Sequence, residues 1–300
     1  APLVLPPVPP RRCLPPSMAG GLRRGQALNF PTRACARRAM TVATIVGIAL
    51  LVLLINAASN EWKRQKSEER AERGRLLHEQ GRYAEAEREY AAAIGLAPGD
   101  PRFRTGRGRA LAALGRRRDA LDEYHAATRL DRGSSAAHVD VARALLSLGH
   151  PQDALASAER AARLSPLSPE ARLAKGEALL ALGMREGAIA EMRESARMRD
   201  GTGLRTRIAA LLRMLERHDE ELAELDRAVA VGGESADLHY RRGCALWLIG
   251  KGDAGERPRR YREAVAAFEA ALGIDRNHVE ASMALEHARA QLEGLEGAGR

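Results

Sequence analysis

Three hundred residues would hold two ordinary domains, but a chain 45% hydrophobic and only 3% aromatic lacks the side chains of a large β-sandwich or barrel, and Ala, Leu, Arg and Glu favour helix. The net charge of +9 is not a nucleic-acid signal once mapped: of 48 basic residues, seven arginines lie in 1–38, which has no Asp or Glu, leaving 41 basic against 39 acidic in 59–300. Cys13, Cys35 and Cys244 are too few and too scattered for a disulfide framework or a zinc site.

In chain order, residues 1–38 read as a disordered Pro/Arg-rich tail, with seven prolines in the first 16 positions and no packing pattern. Those prolines argue against the amphipathic helix of an organellar transit peptide. Residues 39–58, AMTVATIVGIALLVLLINAA, follow without one charge. Twenty helical residues rise ~30 Å, the thickness of a bilayer's hydrocarbon core. Ile55-Asn56-Ala57-Ala58 is a weak cleavage site, and Trp62 stands where an interfacial ring belongs. The segment is therefore expected to be a single uncleaved transmembrane helix.

Basic residues flank both ends of the span: Arg23, Arg24, Arg33, Arg37 and Arg38 before it, Lys63, Arg64, Lys66, Arg70, Arg73 and Arg75 after it. An acid-free arginine tail resists translocation, so the tail is expected inside and the rest outside the cytoplasm, periplasmic in a bacterium. Translation from Met18 or Met40 would alter that balance, and a start at Met40 would favour the opposite orientation.

After a linker at 59–66, self-similarity dominates. Gly81, Gly115, Gly149 and Gly183 recur every 34 residues, as do Ala86, Ala120, Ala154 and Ala188. Two more series keep the same step: Gly74, Gly108, Ala142, Gly176, and Leu96, Leu130, Leu164, Met198. Each series has a role in a pair of antiparallel helices. The glycines close the first helix, the small residues let the two backbones approach, and Tyr90 and Tyr124 fill the gap between units. Asp100-Pro101 and Ser168-Pro169 are helix starts, with Ser134 at the cap position between them.

The stretch GRYAEAEREYAAAIGLAPGD (81–100) resembles the second helix of the tetratricopeptide repeat family, whose unit is a 34-residue helix–turn–helix. The resemblance covers about three quarters of the chain. It implies an all-α, right-handed superhelical solenoid of antiparallel helix pairs, preceded here by the transmembrane helix. The repeat domain is 67–292, in six units (67–100, 101–134, 135–168, 169–202, 203–235, 236–278) and a cap helix at 279–292, followed by a disordered end at 293–300. The fifth unit is degenerate and one residue short, with Glu216 or Arg217 where the turn glycine belongs. The sixth carries nine extra residues around Lys251–Arg259, expected to lengthen its turn.

No phosphate-binding loop, zinc-protease motif, nucleophile elbow or calcium loop occurs, and the eight histidines are dispersed. The chain is read as no enzyme, with no catalytic residue, cofactor or metal. What the family resemblance implies instead is a concave groove lined by the first helix of each unit. The ninth positions are Arg75, Arg109, Arg143 and Glu177, with Arg102 facing the same groove, an arrangement suited to acidic segments of protein partners. Tyr240, Cys244 and Trp247 share one face of the sixth unit, and Tyr240 and Trp247 are its candidate contacts. The function so implied is a membrane-anchored scaffold for protein partners in envelope assembly, translocation or maturation. The alternatives are an RNA-binding helical repeat, disfavoured by the 34-residue period and Glu177, and an organelle import receptor with its repeats in the cytosol.

Overall fold

The computed structural model describes residues 33–232 and 234–298; the proline-rich stretch 1–32 lies outside them. Among the described residues the chain is helical throughout. Helix α1 spans Arg33–Glu79, α2 Tyr83–Leu96, α3 Pro101–Ala113, α4 Arg117–Leu130, α5 Ser135–Ser147 and α6 Pro151–Leu164. Then come α7 Pro169–Ala181, α8 Arg185–Met198, α9 Thr202–Met214, α10 His218–Ala230, α11 Ala236–Gly252, α12 Arg257–Ile274 and α13 Val279–Ala298. Two compact units divide at Ser59 and Asn60.

In the first unit the described residues belong to α1, and the apolar side chains Ile45, Ile48, Leu51 and Leu54 are all exposed. Between Thr44 and Glu79 α1 is long and apolar enough to cross a membrane by length and composition, with a mean hydropathy of 1.7 over its apolar window. It starts at Arg33, before the expected 39, and runs unbroken through the expected linker at 59–66. That linker, SNEWKRQK from Ser59, holds neither Gly nor Pro, so nothing interrupts the hydrogen-bond ladder.

The second unit stacks six helix pairs: the end of α1 with α2, then α3/α4, α5/α6, α7/α8, α9/α10 and α11/α12, closed by α13. Gly81, Gly115, Gly149 and Gly183 all take the left-handed conformation at the turn inside a pair, with φ of 76°, 78°, 81° and 79°. Asp100, Ser134 and Ser168 cap α3, α5 and α7 by accepting from Arg102 N, Ala137 N and Ala171 N. Ala86, Ala120, Ala154 and Ala188 are fully buried where the two helices of a pair cross.

The small residues of the first helices are matched to the side chain they face. A Cβ at Gly108 would stand 2.6 Å from the Tyr124 ring, at Gly176 2.9 Å from Met192, and at Gly243 2.5 Å from the Phe268 ring. In the third pair the residue at this place is Ala142, and the facing position holds Ala158 instead of an aromatic. Tyr90 lies against both Gly74 of its own pair and Gly106 of the next, as the gap-filling role requires.

A second repeated device joins the helices of a pair. Arg70–Glu89 (2.9 Å), Arg104–Glu123 (3.3 Å), Arg172–Glu191 (3.0 Å) and Arg205–Glu224 (2.7 Å) are ion pairs with the same 19-residue separation. Burial raises the pKa of Glu191, but the bonds from Lys175 and Arg172 outweigh it and hold the carboxyl below the usual glutamate range. The third pair has His138 and Ser157 in these places, and His138 Nε2 is buried without a hydrogen-bond partner.

The one-residue deletion falls in the turn before the fifth pair: Arg199–Gly201 is three residues long, where Asp131–Ser134 and Ser165–Ser168 have four. In the fifth pair Glu216 takes the turn glycine's place at φ 57°, and Glu221 takes the place of the crossing alanine. A left-handed non-glycine residue is strained, so Glu216→Gly is expected to raise stability by ~0.5–1 kcal/mol, read from the thermal midpoint.

The nine extra residues of the sixth pair do not form a longer loop. Helix α11 has 17 residues and α12 has 18, against 13 and 14 in the second pair, so four go to each helix and one to the turn. Lys251 and Arg259–Arg260 are good helix formers, and Pro258 sits in the first turn of α12, where it is tolerated. The Arg257 guanidinium donates to the Gly250 and Lys251 carbonyls, satisfying the end of the lengthened α11. Helix α13 likewise continues past 292 through 293–298, a segment with no proline to end it despite Gly294 and Gly297.

Candidate functional site

Arg75, Arg102, Arg109 and Arg143 line a run of open cavities along α1, α3 and α5. One of about 450 Å³ holds Glu68, Arg75, Tyr90 and Arg102; the next, of about 330 Å³, shares Arg75, Tyr90 and Arg102 and adds Arg109. Arg109 recurs with Asp140, Arg143 and Glu170 in a cavity of about 270 Å³. Asp140 and Arg143 also line a fourth, of about 260 Å³, with Arg117, Tyr124 and Ser147.

The arginines differ in what neutralises them. Arg75 is paired with Glu72 (2.6 Å) and Glu79 on its own helix, and Arg102 with Asp100 (2.6 Å). Arg109 donates to the Asp140 carboxylate of the next pair at 2.9 Å. Burial pushes the Asp140 carboxyl above the usual aspartate value, while Arg109 and Arg143 pull against that. Arg143 is exposed and makes no ion pair or hydrogen bond to a carboxylate among the described residues. Glu177, read from the sequence as the interruption of the groove, is bound by Arg207 of the following pair at 2.7 Å.

Tyr240 and Trp247 of the sixth pair are half-buried, and each is engaged by neighbouring rings. The Trp247 ring stacks on Tyr261 with centroids 3.9 Å apart and planes 12° apart, and it meets His287 edge-on. Tyr240 lies between Phe268 and His278. A cavity of about 150 Å³ opens beside them, lined by Arg213, Cys244, Trp247, Phe268 and His287. Among the described residues no group of acidic, His or Cys side chains is arranged to hold a metal ion.

The sequence reading missed Asp140 and Arg117. Asp140 had a signal: its register place alternates between a carboxylate, at Glu72 and Asp140, and a small residue, at Gly106 and Ala174. Arg117 had none, because Tyr83, Pro151 and Arg185 occupy its place in other pairs.

Paired helices stacked in register, with cavities along the first helices, define a helical repeat array. Two tetratricopeptide repeat profiles match, over residues 77–138 and 139–201. Residues 77–201 are thus similar to tetratricopeptide repeats, which in general serve as protein-interaction scaffolds. Solved structures share the fold. A thermophilic tetratricopeptide repeat protein of Thermus thermophilus, TTC0263, is 24% identical with a TM-score of 0.52, covering 60% of this chain and 98% of its own. The pilF protein of Pseudomonas aeruginosa is 14% identical with a TM-score of 0.57, covering 76% and 99%. A tetratricopeptide repeat protein of Parabacteroides merdae ATCC 43184 is 16% identical with a TM-score of 0.50, covering 74% and 84%. Comparison with curated protein sequences finds no match.

Proposed function

We propose that the chain is a membrane-anchored scaffold, with residues 39–58 as the anchor, and that the face formed by α1, α3 and α5 holds an acidic segment of a protein partner. The repeats lie outside the cytoplasm in this reading, serving an assembly, translocation or maturation complex of a cell envelope. The observation that carries it is the run of linked cavities lined by Arg75, Arg102, Arg109 and Arg143. The exposed apolar stretch of α1 supports the anchor, and the acid-free arginine tail supports the orientation. Tyr240 and Trp247 are a second contact surface, open at the cavity beside Trp247.

Crosslinking in native membranes tests the groove. Arg109→Gln with Arg143→Gln is expected to abolish recovery of the crosslinked partners while leaving the circular dichroism spectrum unchanged, since both side chains are largely exposed. Glutamine is the better choice, because Glu at 109 would face Asp140. Unchanged recovery would move the partner off this face. The anchor is expected to survive alkaline carbonate extraction, and protease added to spheroplasts is expected to digest the repeats; full protection would reverse the orientation.

A further inference from the structure

In the cavity between the second and third pairs two arginines are left without a direct bond to a carboxylate. Arg75, Arg102 and Arg109 are each held by carboxylates of the chain itself. Arg143 on α5 and Arg117 at the start of α4 are not: both are exposed, and neither makes an ion pair or hydrogen bond to a carboxylate among the described residues, though the Arg143 charge acts on Asp140. They line the same cavity of about 260 Å³. Its other walls are Ala112, Ala120, Ala144, Ser147 and the Tyr124 ring, mostly small side chains with little polar character. Asp140 lies at this cavity too, with its Oδ2 already engaged by Arg109.

We infer that this cavity is the docking pocket for a glutamate or aspartate side chain of an extended acidic peptide, held by Arg117 and Arg143. This rests on the reading of the α1–α3–α5 face as the partner-binding groove. Charge complementarity selects the occupant. Two forked donors suit a carboxylate, and the alanine walls suit the methylene stem that carries it. A phosphate dianion fits worse, because a second negative charge would be set beside the Asp140 carboxylate. A ligand at Arg75, Arg102 or Arg109 must displace a carboxylate already hydrogen-bonded there, whereas a ligand at Arg117 and Arg143 displaces none, because Asp140 is bonded to Arg109.

The test uses the full chain in detergent and a fluorescein-labelled octaglutamate peptide, with binding followed by anisotropy at low salt. Arg117→Gln and Arg143→Gln are each expected to weaken binding by about three- to fivefold, and the pair by about tenfold or more, the scale of exposed charged contacts. Arg75→Gln and Arg102→Gln are expected to change it by less than about twofold, because those side chains are already spent on Glu72, Glu79 and Asp100. Glutarate is expected to displace the peptide better than inorganic phosphate does. Equal losses for all four variants would overturn the pocket while leaving the groove standing. No loss for the Arg117/Arg143 double variant, no binding by the native chain, or stronger displacement by phosphate would each overturn the pocket. Loss of crosslinked partners in the Arg109/Arg143 variant, read independently, decides the groove itself.

Discussion

Gly108→Ala is expected to destabilise the repeat array, although alanine is the better helix former. In an exposed helix interior the exchange would gain ~1 kcal/mol. At this position the new Cβ would lie 2.6 Å from one Tyr124 ring carbon and 2.8 Å from another, inside contact distance of a ring that is itself buried and fixed. Overpacking of this kind costs ~1–3 kcal/mol, and the backbones of α3 and α4 must part to relieve it. Tyr124→Ala alone empties the gap and is expected to cost more, ~3–5 kcal/mol. The informative variant is the double. Ala at both 108 and 124 reproduces what the third pair carries at 142 and 158, so the double is expected to be more stable than Tyr124→Ala alone. A melting series over the four proteins, read as a coupling energy, checks this. Additive effects would mean that Gly108 and Tyr124 do not meet, and the register of every pair would fall with that result.

That coupling also marks how far the repeat can be read from residues alone. The turn glycines, the crossing alanines and the capping Asp100, Ser134 and Ser168 were legible because each is a backbone requirement, and a backbone requirement recurs at fixed spacing. The size match of Gly108 to Tyr124 and of Ala142 to Ala158 was written in the same register, as a covariation between two series. The ion pairs at 19-residue separation were legible in principle too, since Arg70, Arg104 and Arg172 lie 34 and then 68 residues apart, alongside Glu89, Glu123 and Glu191 at the same spacing. They were passed over because a charged residue on a helix reads by default as a solvated face. The fate of the nine extra residues in the sixth pair was not legible: the count fixes the insertion's length, and whether it extends helices or a loop depends on what the added turns can pack against. The groove's electrostatics were legible only in part. Arg75, Arg109 and Arg143 come from the register, but the carboxylate that neutralises Arg109 lies 31 residues away on another helix, and only the stacked geometry selects it.

Among the repeated ion pairs the largest loss of stability is expected at Glu224, because there the pair has become a buried cluster. Its carboxylate has no exposed surface and accepts from Arg193 (2.9 Å), Arg205 (2.7 Å) and Arg227 (3.0 Å). Arg205 is itself buried, and it grips Asp200 by two bonds of 2.8 Å. In the other pairs the equivalent glutamates keep some exposure and their arginines more, so the same pair there contributes on the ordinary scale of a charged hydrogen bond. Glu224→Ala strands buried positive charge and is expected to cost ~3 kcal/mol, near the lower end for a broken buried pair because Arg205 keeps Asp200 and Arg193 keeps Glu220. Glu89→Ala is expected to cost ~1 kcal/mol. Replacing both charges, Glu224→Leu with Arg205→Met, is expected to recover most of the loss, since apolar groups of similar volume do not need the water that the ions gave up. The acid limb separates the two partners of Arg205. The hydrogen bond from Arg205 holds the Asp200 carboxyl below the usual aspartate value despite some burial, so the folded chain takes up that proton at lower pH than the unfolded chain does. The pair's contribution is therefore complete at neutral pH and fades as the pH falls below the ordinary aspartate range. Arg205→Met should remove that part of the acid sensitivity along with the bond, and denaturant unfolding at neutral and acidic pH compares the two proteins directly. An Arg205→Met chain that loses stability in acid as steeply as the native one would show that Asp200 draws its stabilisation from elsewhere in the turn before α9.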